Sequence, residues 1–363
     1  MGETPQDPEF RDILFPTEDG PVPLHAVRPR EDYLSGLVPA PPPERRRKYV
    51  LLLLATLLTT TVVGAGHYAG WATDFGRRPL DLTTWAFYAS GFWYSLSILA
   101  ILGAHEMGHY LACRYYGVDA SLPYFLPAPV LTGTLGAFIR IRQPIATKRE
   151  LFDIGIAGPL AGFAVAVPVL VIGMGLSALV RVPPNMVGLE LGEPLLFKAV
   201  SWLWFGTPPD GYSVNLHPMA FAAWFGLLAT ALNLIPIGQL DGGHISYAVL
   251  GRRSTLVTLV MVCCLIGLSF ISSSWIVWTV LTIAMLLGVG PRHPRTIDED
   301  VPLDRGRMWL AGAALVMLGL CFTPAPIEPL ELVRPQQPQP HAPHEQQAST
   351  APSADPHPPT HAF

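Results

Sequence analysis

Two histidines and a glutamate stand within an otherwise apolar stretch, "AHEMGHYLA" at residues 104–112. His105 and His109 are four positions apart, so on a helix they lie about 40° apart on one face, one turn from each other. Two imidazoles placed in this way can bind one zinc ion, and the adjacent Glu106 can act as base toward a zinc-bound water. The spacing therefore predicts hydrolysis with a metal-activated water.

The apolar surroundings of these residues strengthen that prediction. A charged residue at the centre of a membrane span costs about 2.5–3.5 kcal/mol, so Glu106 in an apolar run is a candidate functional residue. HExxH is the motif of zinc metalloproteases, but five residues also recur by chance. The alternative is that the three side chains only form hydrogen bonds with neighbouring helices.

A zinc ion with two histidine ligands needs a third protein ligand and an open position for water. The segment "NLIPIGQLDGGH" at 233–244 supplies Asp241. Two glycines follow this residue and let the backbone turn tightly, so that the carboxylate can point inward. His244 is the alternative ligand, but it lies beyond the glycines, and Asp241 is favoured. Asn233 carries an amide that can donate to a developing oxyanion.

The composition indicates a polytopic membrane protein. Of the 363 residues, 50% are hydrophobic and only 14% are charged, whereas about a quarter are charged in a soluble domain. The mean hydropathy is +0.36. A net charge of −4 gives no reason to expect nucleic-acid binding. The four cysteines show no CxxC spacing, which argues against a disulfide framework and against a thiolate metal site.

Several apolar runs approach or exceed the roughly 20 residues that cross a bilayer. These candidate spans are 49–71, 84–117, 151–180, 217–237, 255–288 and 307–323. We take 255–288 as two spans because "ISSSW" at 271–275 can form a tight turn. The pattern predicts an all-α membrane protein with about seven transmembrane helices, or six if 255–288 is one helix.

Lysine and arginine concentrate on the cytoplasmic side of membrane proteins. With the N-terminus inside, the cytoplasmic segments hold basic residues within 45–48, 140–149, 252–253 and 292–307, and the opposite side holds Arg77, Arg78, Arg181, Lys198 and Arg334. A single span at 255–288 would place the arginines of 292–307 outside. The asymmetry therefore predicts seven crossings, with the N-terminus and the active site toward the cytoplasm.

Both ends of the chain differ in composition from the apolar middle. Residues 1–48 are polar and of mixed charge, and residues 324–363 are rich in proline, glutamine and histidine. Such compositions cannot bury a core. We expect a disordered cytoplasmic segment over 1–48, a transmembrane domain over 49–323 with its core at 84–250, and a disordered Pro-rich tail over 324–363.

Two further motifs bear on how the site is assembled. In "LTGTLGAFIRIRQPI" at 131–145, "AFIRIR" alternates with the period of a strand and the glycines suit a bend. An ordinary cytoplasmic loop is the alternative to a short membrane-associated β-hairpin. In "GIAGPLAGF" at 155–163, small residues at helical spacing permit close helix packing. This packing would bring the histidine helix near the Asp241 segment.

Three of these motifs together resemble the site-2 protease family of intramembrane zinc metalloproteases. They are "HEMGH" at 105–109, "GIAGP" at 155–159 and "NLIPIGQLDGG" at 233–243, in the family's order and membrane context. The resemblance covers about residues 84–250. It implies one zinc ion held by His105, His109 and Asp241, with Glu106 as base and Asn233 assisting the oxyanion.

The loop "GTLGAFIRI" is also similar to the family's membrane-associated hairpin, which is thought to hold substrate in extended form. The resemblance thus implies that Gly133, Gly136 and Phe138 bind substrate. Many family members carry a PDZ domain or a nucleotide-sensing domain, whereas here the segment 181–216 has only about 36 residues. No dedicated regulatory domain is visible in the sequence.

The expected function is hydrolysis of peptide bonds within or near the transmembrane segments of single-span membrane proteins. The expected location is a lipid bilayer, namely a bacterial inner membrane. A membrane metal transporter is one alternative, but it would repeat its ligands along a path. A catalytically inactive scaffold is another, but it would not need Glu106. The sequence does not indicate an oligomeric state.

Overall fold

Apolar helices dominate the computed structural model, which describes residues 46–74, 77–183, 187–290 and 295–331. The helices are α1 (Arg46–Ala72), α2 (Trp85–Ser90), α3 (Phe92–Tyr115), α4 (Lys148–Gly175), α5 (Leu195–Phe205), α6 (Pro218–Leu234), α7 (Asp241–Leu250), α8 (Ser254–Ser269), α9 (Ser274–Val289) and α10 (Arg305–Cys321). The strands are β1 (Tyr124–Pro127), β2 (Thr134–Phe138), β3 (Ala178–Arg181), β4 (Val187–Leu191), β5 (Tyr212–Asn215) and β6 (Ile327–Glu331).

Length and composition make several of these helices candidate membrane spans. Within the described residues, four stretches are long and apolar enough to cross a bilayer: Arg46–Ala72, Trp85–Tyr115, Lys148–Gly175 and Asp241–Ser269. Shorter apolar helices include α5, α6 and most of α9. The chain is a helical membrane protein, as the sequence predicts.

The long apolar run at 255–288 is divided into two helices. α8 ends at Ser269 and α9 begins at Ser274. In the turn between them, the hydroxyl of Ser272 accepts a hydrogen bond from the N–H of Ser274 at 3.3 Å. The structure thus has the break that the two-span interpretation requires, and the total of seven crossings stays a prediction.

Two boundaries differ from those predicted. α1 begins at Arg46, within the segment expected to be disordered; residues 1–45 lie outside the described part of the chain. Ile327–Glu331, within the expected tail, is a strand that pairs antiparallel with β4. Backbone pairing orders this stretch despite its low apolar content, and residues 332–363 lie outside the described part.

A helix that the sequence did not predict follows the fourth long run. α6 ends at Leu234 because Ile235 precedes Pro236, and a residue before proline is disfavoured in the helical conformation. The irregular backbone at 235–240 leads into α7, whose first residue is Asp241. The sequence did not predict α7 because its first turn is "DGGH", with two glycines of low helix propensity.

The core is formed by α3, α4 and α6, which pack against one another, and α7 packs against α4. Thr147 begins α4 with a capping box, in which its side chain and that of Glu150 satisfy each other's backbone N–H groups. Large side chains such as Phe152, Ile101 and Trp224 are fully buried among these helices. The packed helices hold the histidine helix against the Asp241 segment.

The predicted hairpin is present, but its strands are not those that the sequence predicted. β1 pairs antiparallel with β2 in the register Tyr124↔Phe138, and the partner strand β1 lies upstream of the predicted stretch. β2 ends at Phe138, so "IRIR" does not continue it, although Ile141 forms an isolated bridge with Ala120. The turn packs on helices: the Gly133 carbonyl accepts a bond from the Thr59 hydroxyl at 2.7 Å.

Two other small antiparallel sheets were not predicted. β3 pairs with β5, and β4 pairs with β6. These strands have four or five residues each. They are too short for alternation to be distinguished from loop sequence.

Candidate metal centre

Three side-chain atoms that can bind a metal converge between α3 and α7. The Nε2 atoms of His105 and His109 are 3.2 Å apart. The Asp241 Oδ2 atom lies 3.2 Å from the first and 3.3 Å from the second. Among the described residues, this is the group of histidine and carboxylate side chains that can hold a metal ion. The two residues predicted from HExxH and the favoured third residue therefore meet at one point.

The dimensions of this triangle fit a tetrahedral metal ion. Zinc binds histidine nitrogen at about 2.0–2.1 Å, and tetrahedral geometry then separates two ligand atoms by about 3.3–3.4 Å. The observed edges of 3.2–3.3 Å agree with that spacing. Asp241 Oδ2 is buried and, within the described part of the chain, accepts no hydrogen bond. A buried carboxylate oxygen without a donor is costly, and a cation would stabilise it.

A backbone carbonyl fixes the protonation of His109. Its Nδ1 lies 2.7 Å from the carbonyl oxygen of Ile154 on α4. Because a carbonyl only accepts, Nδ1 must carry the proton, and Nε2 then presents its lone pair to the triangle. The other ring nitrogen of a metal-binding histidine usually donates in this way. The sequence carries no side-chain signal for this contact, since the partner is a main-chain atom.

The small residues of α4 let it approach the two histidines. A Cβ added to Gly158 would overlap the imidazole of His109, and one added to Gly162 would lie 3.0 Å from the Cβ of His105. The Gly-rich motif therefore does more than bring the helices together. It makes the space that the metal-binding rings occupy.

Asp241 is positioned by the turn that precedes α7. Side chains at Gly242 and Gly243 would overlap the carbonyl oxygens of Leu234 and Gly238, respectively. Thr258 on α8 holds the same turn: its hydroxyl accepts from the Gly238 N–H at 3.3 Å and donates to the Pro236 carbonyl at 3.4 Å. Because Gly242 and Gly243 have no side chains, the first turn of α7 can pack closely against the end of α6.

Glu106 and Asn233 border the three converging atoms. Glu106 is 7% exposed and close enough to interact electrostatically with His105, His109 and Asp241. It also interacts with the backbone amide of Ile139, just beyond the end of β2. The Asn233 Nδ2 atom lies 3.2 Å from His105 Nε2. A carboxylate outside the triangle and an amide donor beside it thus accompany the metal-binding atoms.

Comparison with protein families agrees with this geometry. The family model described as "Peptidase family M50" matches residues 93–272, which include every residue of the metal centre. The chain belongs to peptidase family M50. This membership confirms the resemblance to site-2 proteases that the three motifs indicated.

Several plant proteins are similar to this M50 chain. One is "Probable zinc metalloprotease EGY2, chloroplastic" of Oryza sativa subsp. indica, 31% identical over 251 residues, 67% of this chain and 44% of the relative. The Arabidopsis thaliana protein of the same name is 32% identical over 211 residues, 56% of this chain and 37% of the relative. The chain spans less than half the length of these relatives. No solved structure matches it.

His244, the alternative third ligand, lies elsewhere in this M50 centre. Its N–H donates to the Leu240 carbonyl at 3.0 Å, as a residue of the first turn of α7. Its Cβ faces the Gly155 position on α4. His244 is not part of the group that can hold a metal. The geometry brings Asp241, and not His244, to the two histidines.

The residues predicted to bind substrate have different surroundings. Gly133 has φ +73°, and a side chain there would meet the backbone of Thr60 at 2.6 Å, so this glycine packs against α1. Gly136 has φ +103° and open space where a side chain would be. Phe138 is 45% exposed and stacks on Tyr124 at 5.2 Å. Substrate binding by these residues stays a prediction.

Proposed function

We propose that this chain is an intramembrane zinc metalloprotease that hydrolyses peptide bonds within or near the transmembrane segments of other membrane proteins. The observation that carries the proposal is the triangle of His105 Nε2, His109 Nε2 and Asp241 Oδ2, with edges of 3.2–3.3 Å. Membership of family M50 and the relatives named zinc metalloproteases support zinc as the metal.

Three side chains would bind one zinc ion. His105 and His109 would supply nitrogen ligands and Asp241 an oxygen ligand. When bound, zinc lowers the pKa of a water toward about 7 and polarises a carbonyl group. Three protein ligands leave a coordination position open, as catalytic zinc sites do. Buried surroundings strengthen these electrostatic interactions because they exclude bulk water.

Glu106 and Asn233 would act on the peptide bond directly. Glu106 lies beside the metal-binding atoms without being one of them. Its carboxylate can hold the proton removed from the attacking water and deliver it to the leaving amine. The Asn233 amide, 3.2 Å from His105 Nε2, is placed to donate to the developing oxyanion.

The hairpin offers a way to present an unwound substrate. The Thr132 carbonyl, just before β2, accepts a bond from the Tyr94 hydroxyl at 2.8 Å, and the amide of Ile139, just after β2, interacts with Glu106. β2 therefore runs along α3 between the levels of Tyr94 and Glu106. Among the described strands it pairs with β1 alone. Its other edge can accept an extended substrate segment by strand addition.

We further propose that the protein resides in a bacterial inner membrane, with its N-terminus and metal centre toward the cytoplasm. The support for this orientation is the distribution of lysine and arginine, which are concentrated in the segments assigned to the inside. The partners would be single-span membrane proteins, whose transmembrane segments can reach the hairpin laterally through the bilayer.

The Glu106→Gln variant tests the proteolytic function. The amide keeps the size of the side chain but cannot accept a proton, so cleavage should fall by about 10²–10⁴-fold. Zinc content, measured by mass spectrometry of the purified protein, should remain at one ion per chain. Asp241→Asn is the matched variant, because it should weaken zinc binding itself.

The same pair of variants separates this function from its alternatives. Single-span proteins that copurify with Glu106→Gln and are cut by the wild type would identify substrates. If wild-type protein contains no zinc and cuts no membrane protein, the proposal is wrong. Zinc flux into vesicles that survives Glu106→Gln would instead indicate a transporter.

A further inference from the structure

An apolar cavity lies beside the metal centre, between the end of α6 and α9. Its volume is about 120 Å³, and eight of its ten lining side chains are Leu, Ile, Met or Trp. One wall comprises the end of α6 and the irregular segment after it, including Leu232, Ile235 and Ile237. The opposite wall is a face of α9 that includes Thr282 and Met285.

The cavity and the metal centre share a residue. Asn233 lines the cavity, and its Nδ2 atom lies 3.2 Å from His105 Nε2. The segment 235–240, which forms much of the inner wall, ends directly before Asp241. A group that occupies the cavity would therefore lie next to the peptide bond that Asn233 is placed to polarise.

The size and chemistry of the cavity suit one aliphatic side chain. An apolar cavity of about 150 Å³ accommodates benzene. At about 120 Å³, this cavity matches the isobutyl group of leucine more closely than a methyl or a charged group. Residues of a transmembrane substrate are predominantly of this apolar kind.

We propose that this cavity binds one apolar side chain of the substrate, of about the size of leucine, at a fixed position relative to the cleaved bond. The inference rests on the proposed proteolytic function and adds a specificity determinant to it. Burial of the side chain stabilises the transition state for substrates that carry it, and an alanine at that position leaves the cavity unfilled.

The outer wall can be altered without touching the metal centre. α9 packs chiefly against α8, and none of its residues belongs to the metal-binding group. Thr282 lies on the cavity face, whereas Val280, of nearly the same shape, is 60% exposed elsewhere on α9. Thr282→Phe would fill the cavity, and Val280→Phe is the matched control that adds the same ring outside it.

The probe is a designed single-span protein whose transmembrane segment is rich in alanine and glycine, with one leucine moved stepwise along it. Cleavage sites and rates are measured by mass spectrometry with purified protein in lipid vesicles. We expect the wild type to cut at a constant distance from the leucine, about 10–200-fold faster than the parent without leucine. Val280→Phe should keep this preference, and Thr282→Phe should lose it while still cutting the parent.

The outcomes distinguish this inference from the proposed function. If the wild type cuts at positions that do not change when the leucine is moved, the specificity inference is wrong, but the proposed proteolytic function is not affected. An equal loss of all cleavage in Thr282→Phe, with zinc retained, would also overturn it, because the cavity would then serve the fold or hold lipid. Failure of the wild type to cut any probe or copurified membrane protein would overturn both.

Discussion

His109 is oriented by the main chain of α4, and its position requires that residue 158 of that helix has no side chain. Its Nδ1–H donates to the Ile154 carbonyl at 2.7 Å, and its ring fills the space beside Gly158. The two contacts lie four residues apart on α4, one helical turn. One turn of α4 therefore sets both the tautomer and the position of this metal-binding ring.

Gly158→Ala should disturb the metal centre without altering any ligand. The added methyl group would overlap the imidazole of His109, and the helix backbone cannot retreat because α4 is packed on both α3 and α6. We expect zinc affinity to fall by about 10–100-fold, as when an outer partner of a ligand is lost. Competition with a fluorescent zinc chelator measures the change.

Gly312→Ala on α10 provides the control, since a side chain there meets nothing within 4 Å. This change should leave zinc affinity unaltered and stabilise the helix by up to about 1 kcal/mol. Equal zinc affinity in Gly158→Ala and the wild type would show that α4 can shift, and would contradict the positioning described here.

Residue types and spacing predicted the converging side chains but not what orients them. His105, His109 and Asp241 stand in motifs whose chemistry can be inferred directly, and the structure brings them together. The Ile154 carbonyl and the Ile139 amide contribute backbone atoms, which every residue has. Only the packing of one element on another determines which of these atoms face the site.

At the level of elements, the decisive feature is the break between α6 and α7. The apolar run 217–237 predicted α6, and Pro236 explains why the helix stops at Leu234 rather than at residue 237. Length and hydropathy could not predict α7, because its polar, Gly-rich first turn resembles a loop. The tertiary contacts of its glycines with the α6 carbonyls, rather than local propensity, stabilise its start.

The start of α6 should make stability depend on pH. His217 is the N-cap, and its Nδ1 accepts the Met219 N–H at 3.3 Å, which requires an unprotonated nitrogen. Its ring packs against Trp71 and Trp93. Protonation of Nδ1 would break this capping bond, so stability should be complete above about pH 6.5, the ordinary range of imidazole titration, and decline as the pH falls below it.

Thermal unfolding in detergent at pH 7.5 and pH 5 tests this dependence. The His217→Asn variant keeps an efficient N-cap side chain and removes the titrating group. The melting temperature of the wild type should fall by several degrees more than that of the variant between the two pH values. Carboxylates that titrate in the same range affect both proteins equally, so an identical fall in both would exclude His217 as the cause.

For the whole molecule, two separate segments place the metal centre at one depth. Tyr115 ends α3 ten residues after His105, and Leu250 ends α7 nine residues after Asp241. At 1.5 Å per residue, these distances are about 15 and 14 Å. Both helix ends are followed by segments with basic residues, which the charge distribution assigns to the cytoplasm. Both segments would then place the metal centre at the same distance, about 15 Å, from the cytoplasmic ends of these helices.

Single cysteines introduced into a cysteine-free chain test this orientation and the seven crossings. Exposed Asp81 and Ser273 lie in segments assigned to the outside, and exposed Gln143 and Arg253 in segments assigned to the inside. A membrane-impermeant maleimide added to intact cells should label cysteines at the first two positions at once, and those at the other two only after the membrane is permeabilised. Position 273 is decisive, because it is outside only if α8 and α9 both cross. Labelling there that requires permeabilisation would place this turn inside and contradict the crossings of α8 and α9. Absence of labelling under both conditions would indicate one continuous span, which would place the arginines of 292–307 outside, against the charge rule.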